Sequence, residues 1–264
     1  MPASAQARTF DVKRIAIIGA GPSGLAAAKY LRGEQHFQHI DIFEQRSRVG
    51  GVWDYDPGPK TFPEDFNIPQ TSPRAGLAKP VWSRSGTKQA LGDRDGDFRW
   101  LSPMYDRLET NIPRTLMGFS DLDWPQDSQL FPKHETVTAY IEKYAQEVKS
   151  LIKFNTQVVQ ITPVESLEQE GHGWRVRTRD VREPGEGDDV REDVYDAVVA
   201  ASGHFAVPFI PAISGLDEFR RRYPGAVSHS MYYKQPEQYK DKVSQVNRLS
   251  RCIRTNAELI LYRK

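Results

Sequence analysis

Apolar residues fall in short runs along this chain, separated by stretches rich in glycine, proline and charge. The first run, Val12 and Ile15, Ala16, Ile17 and Ile18, is β-branched and nearly continuous, the pattern of a parallel strand covered on both faces. It leads into Gly19-Ala20-Gly21-Pro22-Ser23-Gly24 and then into residues 25–32, an alanine-rich stretch of good helix propensity. A second run over residues 40–43 ends at Glu44. Strand, glycine turn, helix and strand predict one βαβ unit. Residues 54–96 lack any sustained period and predict a long surface excursion. Val137, Tyr140, Ile141, Tyr144, Ala145 and Val148 then recur at helical spacing and predict an amphipathic helix. Strands are predicted over residues 157–164, 174–178 and 194–201, with an exposed hairpin tip over 182–193. The fold class that follows is α/β: a doubly wound, Rossmann-like domain with a mostly parallel sheet and a small β-layer after Gln157.

Composition narrows the function classes. At 264 residues the chain is long for one domain and short for three, on a scale of about 100–200 residues each. Lys and Arg total 36 against 35 Asp and Glu, so a net charge of +1 draws it to neither nucleic acid nor a membrane surface. A hydrophobic content of 38% is enough to build a core. The single cysteine, Cys252, excludes a disulfide scaffold, a paired-cysteine zinc cluster and a dithiol redox centre, and no metal site is expected. No apolar run approaches the roughly 18–20 residues that span a bilayer. The first eight residues lack the apolar stretch of a secretory signal, so a cytoplasmic protein is expected.

Gly19-x-Gly21-x-x-Gly24 is the dinucleotide fingerprint in its required setting, after a strand and opening a helix. Gly19 permits the tight turn, Gly21 lets bare backbone approach a pyrophosphate, and Gly24 lets helix pack on strand. Pro22 and Ser23 lie at the helix start, where free N–H groups and a positive dipole end face an anion. Glu44 follows Gly24 by about twenty residues, where a carboxylate accepts hydrogen bonds from ribose hydroxyls, with Gln45 beside it. A purely structural glycine turn is the competing reading. Gly50-Gly51-Val52-Trp53 supplies a second glycine pair that lets another loop approach the phosphates; an ordinary turn explains the same residues.

These features resemble the FAD-binding enzymes of the two-dinucleotide flavoproteins, and more specifically the flavin-containing monooxygenase family. The likeness extends through Thr110-Asn111-Ile112-Pro113 with Met117-x-Phe119-Ser120-Asp121, through Phe131-Pro132-x-His134-Glu135, and through Tyr195 to His204 with Ser202-Gly203 at its turn. Gly225-x-x-x-His229-x-x-x-Tyr233 resembles the family's identifying element, and Lys234 after it favours the flavin-containing branch over the Baeyer–Villiger enzymes. The resemblance implies an FAD- and NADPH-dependent monooxygenase that oxygenates soft nitrogen or sulfur nucleophiles of small molecules through a flavin hydroperoxide, with dioxygen as co-substrate. It implies FAD contacts from Gly19, Gly21, Pro22, Ser23, Gly24, Glu44, Gln45, Gly51, Val52, Trp53, Ser202 and Gly203. Asn111 would be catalytic, its amide beside the flavin; its competing reading is a turn residue before Pro113. His229 reads as a positioning residue or a polar loop histidine, His134 and His204 as structural. Trp53 reads as a cofactor neighbour or a core residue, and Trp100 and Trp174 as core.

Relatives continue past the Gly-x-x-x-His element into a second strand–glycine turn–helix unit for NADPH. After Lys242 this sequence reads Val-Ser-Gln-Val-Asn-Arg, with no second fingerprint and only a short apolar run at residues 259–262. The expectation is a disordered N-terminus over residues 1–9, an FAD-binding domain over 10–218, and, over 219–264, a linker and the truncated start of an NADPH domain with an atypical tail. A reading frame that runs into non-coding sequence near Val243 would produce such a tail. The alternative to the full enzyme is an FAD-binding, catalytically incomplete product. A flavin disulfide reductase shares the fingerprint but requires a cysteine pair that is absent.

Overall fold

In chain order the elements are β1 (Arg14–Ile18), α1 (Pro22–Gly33), β2 (His39–Phe43), β3 (Val81–Trp82), β4 (Phe98–Arg99) and α2 (His134–Ala145). They continue with β5 (Ile152–Lys153), β6 (Thr156–Glu165), β7 (His172–Asp180), β8 (Val190–Tyr195) and β9 (Ala197–Ala200). α3 (Leu216–Arg222), β10 (Val227–His229), β11 (Val243–Arg248) and β12 (Glu258–Arg263) follow. The computed structural model describes residues 11–58, 77, 80–82, 98–165, 172–182, 190–208, 213–241, 243–248 and 258–263. The expected disordered N-terminus, most of the excursion over 54–96, residues 183–189 of the hairpin tip expected over 182–193, and Cys252 lie outside the described residues, and residues 190–193 of that tip belong to β8. The chain forms two compact units, Met1–Val49 with Tyr144–Ser202, and Gly50–Lys143 with Gly203–Lys264.

The first unit is the predicted α/β layer. Its parallel sheet has the order β5-β2-β1-β9, with β1 flanked by β2 and β9. Ile15, Ala16 and Ile17 are buried at consecutive positions, as a central strand covered on both faces requires. α1 starts on Pro22, whose fixed φ suits a helix start and whose missing N–H would have no intrahelical partner there. A second, antiparallel sheet of order β6-β7-β8 is the expected β-layer. Ala16, Phe43, Val176 and Tyr195 form the core shared by the two sheets.

The run predicted as one strand over 194–201 is two strands in two sheets. β8 ends at Tyr195 in the antiparallel layer, and β9 begins at Ala197 beside β1. Asp196 makes the switch: its carboxylate accepts the Lys13 and Arg14 N–H groups at 2.8 and 2.7 Å. Beneath this crossing Asp41 is buried on β2, accepting the Tyr195 hydroxyl at 2.5 Å and the Lys153 ammonium at 2.9 Å. Trp174, expected in the core, stands 40% exposed near the start of β7, whereas Trp100 is buried as expected.

In the second unit β3 and β4 form a short antiparallel pair, and β10-β12-β11 a three-stranded antiparallel sheet. Val243-Ser-Gln-Val-Asn-Arg, which has no strand period, is nevertheless β11, paired along its length with the apolar β12. The helical stripe Val137, Tyr140, Ile141, Tyr144 and Ala145 is buried along α2, and Val148 is buried in the 3-10 turn that follows.

Candidate functional site

The glycine turn after β1 is built from backbone packed too tightly for side chains. A Cβ on Gly24 would lie 1.9 Å from the Gly19 carbonyl oxygen, and one on Gly19 would lie 2.6 Å from that of Ala201. Gly19 also has φ +101°, a conformation that favours glycine, and donates its N–H to Phe43 O at 2.8 Å. Gly21 caps α1 with extended backbone and no side-chain hydrogen bond, and no acidic residue occupies the first turn. The first turn of α1 therefore carries no acidic side chain of its own to offset its positive dipole end. Ser23 is exposed there, and Ser202, also exposed, follows Ala201 beside Gly19.

Glu44 is only 4% exposed at the end of β2. Its Oε2 accepts the Ala20 N–H of the glycine turn at 2.8 Å, and its Oε1 accepts the Arg46 N–H at 2.8 Å. The carboxylate is thereby fixed in orientation. Gln45 is half-buried next to it. The turn thus brings together Gly19, Gly21, Pro22, Ser23, Gly24, Glu44, Gln45 and Ser202 within one unit.

The remaining candidates belong to the second unit. Gly51–Trp53 is a single 3-10 turn entered through Gly50, which has φ +116°. Two side chains hold its carbonyls: the Ser102 hydroxyl donates to Val52 O, and the Thr138 hydroxyl donates to Trp53 O at 2.7 Å. Lys234 is 2% exposed and donates its ammonium to Ser102 O and, at 2.9 Å, to Met104 O. Ser102, Thr138 and Lys234 escape a sequence reading because each acts on main chain far away in sequence. Only Lys234 carried a signal, its place after Tyr233.

Asn111 is exposed, and its amide makes no hydrogen bond among the described residues. The turn before Pro113 is closed instead by Thr110, whose hydroxyl donates to Ile112 O at 2.9 Å. Arg114 N–H to Leu130 O at 2.8 Å and Thr110 N–H to Pro132 O at 3.0 Å brace the loop from the other side. Gly203 is exposed with φ +66°. His229 is buried and caps a 3-10 turn, its Nδ1 accepting the Met231 N–H at 3.1 Å. His134 is buried at the start of α2 with Nε2 3.2 Å from Asp106 O, and His204 lies exposed beside Phe205.

A parallel sheet whose first turn leaves no room for a Cβ at Gly19 or Gly24, opens a helix without a side-chain cap and is braced by a fixed carboxylate defines a dinucleotide-binding Rossmann unit. A family described as NAD(P)-binding Rossmann-like domain matches residues 17–65, and one described as Flavin-binding monooxygenase-like matches residues 96–251. The chain belongs to the flavin-binding monooxygenase-like family. It is 32% identical over 251 residues to flavin-containing monooxygenase FMO GS-OX5 of Arabidopsis thaliana, covering 90% of this chain and 45% of that protein. Among solved structures it is similar to S-allyl-L-cysteine S-oxygenase from Allium sativum, with 30% identity, a TM-score of 0.59, and coverage of 89% of this chain and 45% of that one. Tmm from Pelagibacter is 25% identical with a TM-score of 0.58, covering 87% of this chain and 44% of that one. The chain spans a little under half the length of these relatives. Among the described residues no helix is long and apolar enough to cross a membrane.

Proposed function

We propose that this chain provides the FAD-binding half of a monooxygenase that oxygenates soft sulfur or nitrogen nucleophiles of small molecules, with NADPH as reductant and dioxygen as oxygen donor. The observation that carries the reading is the glycine turn, where Gly19 and Gly24 leave room only for backbone and Glu44 is already oriented. The flavin-containing monooxygenase among its relatives supports the monooxygenase reading, and the S-allyl-L-cysteine S-oxygenase from Allium sativum supports sulfur as the nucleophile.

In this reading the N–H groups at the start of α1 bind the diphosphate, and Gly21 lets it approach the main chain. Glu44 and Gln45 take the adenosine ribose. Ser202, Gly203 and the Gly51–Trp53 turn contribute further contacts. Bound FAD, reduced by NADPH, supplies the redox chemistry that activates dioxygen. The Asn111 amide, which no protein group engages among the described residues, offers both donor and acceptor to the reacting oxygens and holds them in place.

The test is uptake and turnover. Purified chain is incubated with FAD, desalted, and examined for a retained flavin absorbance band, then given NADPH and a small thioether under air, with the sulfoxide measured by mass spectrometry. Retained flavin with sulfoxide formation supports the full reading. Asn111→Ala is then expected to retain FAD while sulfoxide formation drops by about 100-fold. Retained flavin without NADPH oxidation supports the second reading, an FAD-binding chain that does not itself turn over. A chain that retains no flavin refutes both.

A further inference from the structure

Gln45 is one end of a line of three side chains within the first unit. Arg179 and Gln157 face each other across β7 and β6, and Arg179 donates Nε and Nη2 to Gln157 Oε1 at 3.0 and 2.7 Å. Gln157, 3% exposed, in turn donates Nε2 to Gln45 Oε1 at 3.0 Å. A side-chain amide usually has two nearly equivalent orientations, differing by a half-turn. Here the choice is removed. A guanidinium has donors and no acceptor, so the Gln157 atom facing Arg179 is its oxygen. Its NH2 group must then face Gln45, which can meet it only with oxygen. The Gln45 NH2 is left pointing away from the relay, and it has no hydrogen-bond partner among the described residues.

We infer that Arg179 and Gln157 are positioning residues that lock the Gln45 amide with its donor outward, so that Glu44 and Gln45 together read a ribose hydroxyl of the adenosine. A hydroxyl gives one hydrogen bond and accepts others, which matches a carboxylate acceptor beside an amide donor. The inference rests on the FAD reading of the glycine turn. The carboxylate half of the pair is fixed by Ala20 and Arg46, and the amide half, through Gln157, by an arginine on β7 of the antiparallel layer.

Gln157→Glu inverts the relay without breaking it. The new carboxylate still pairs with Arg179 but has no donor, so Gln45 must turn its NH2 inward and present oxygen to the ribose. Fluorescence titrations of the whole chain compare FAD with an FAD analogue whose adenosine lacks both ribose hydroxyls. The wild type is expected to prefer FAD by about tenfold or more. Gln157→Glu is expected to bind FAD about tenfold more weakly and the analogue within about twofold of wild type. Arg179→Met, which frees Gln157 to rotate, should give a smaller loss with the same dependence on the hydroxyls, and it serves if Gln157→Glu does not fold. Unchanged FAD affinity in both variants, or equal losses for FAD and analogue, overturns the inference while the flavin reading stands. A folded wild type that binds neither ligand overturns the flavin reading and the inference with it.

Discussion

Gly24→Ala tests the geometry on which the site depends. The added carbon would sit 1.9 Å from the Gly19 carbonyl oxygen, where real Cβ contacts essentially never fall under 3.0 Å, a shortfall of about 1.1 Å. The next neighbours are Gly19 C at 3.1 Å and Ala201 Cβ at 3.4 Å, so no flexible side chain can move aside. Either α1 lifts from the sheet or the Gly19 peptide rotates and strains its 2.8 Å hydrogen bond to Phe43 O. Overpacking of this kind costs about 1–3 kcal/mol, and weakening one backbone hydrogen bond adds about 1 kcal/mol. A loss of about 3 kcal/mol is a large share of the roughly 5–15 kcal/mol that holds a domain together. Gly33→Ala is the internal control: it lies in the same helix, meets nothing within 4 Å and has no positive φ. That substitution is expected to be neutral or to stabilise by up to about 1 kcal/mol. Urea unfolding followed by tryptophan fluorescence measures both, and FAD retention after desalting reads the site. The reasoning is refuted if Gly24→Ala matches wild type within about 0.5 kcal/mol and retains FAD equally well.

Three further outcomes follow from named contacts. Tyr195→Phe removes a hydroxyl that donates to the buried Asp41 carboxylate and should cost about 1.5–3 kcal/mol in urea unfolding, with a change under about 0.5 kcal/mol contradicting it. Burial alone would raise the Asp41 carboxyl, but the Tyr195 and Lys153 hydrogen bonds and the Lys153 and His39 charges hold it below the usual carboxylate range. The unfolded chain therefore binds this proton more readily, so the contribution of Asp41 is present above about pH 4 and lost as pH falls further. Asp41→Asn should lack that portion of the acid slope when stability is measured against pH. Ser102→Ala takes the hydroxyl donor from Val52 O and should destabilise by about 1–2 kcal/mol while accelerating FAD dissociation in stopped-flow measurements. An unaltered dissociation rate would show that the Gly51–Trp53 turn does not contact the cofactor.

The parts of this molecule that were legible in its sequence are those where residue type states a backbone requirement. Gly19 and Gly24 are glycine because neighbouring carbonyls leave no space for Cβ, and their spacing encodes a strand turning into a helix. The α2 stripe was legible for a similar reason, since burial of one face imposes a period. Asp196 was not. The run over 194–201 is apolar apart from Asp196 itself, and the break there depends on that carboxylate finding the Lys13 and Arg14 amides, 183 and 182 residues away in the chain. Trp174 misled for the opposite reason: its size argues for burial, yet its place near a strand end leaves it partly outside the layer. β11 carries no strand pattern of its own and takes its conformation from pairing with β12.

The same distinction separates Glu44 and Gln45, the two residues proposed to meet the adenosine ribose. Glu44 announces itself by its distance from the fingerprint, because β2 always returns to the glycine turn by the length of one helix. Gln45 is equally close in sequence, but a neutral amide has no fixed polarity until something chooses which end faces outward. That choice is made by Gln157 and Arg179, whose positions in the chain reflect the antiparallel layer and not the βαβ unit. A sequence reading can therefore name the pair of residues proposed to meet the ribose, while the sense in which one of them would meet it is set by the packing of a second sheet.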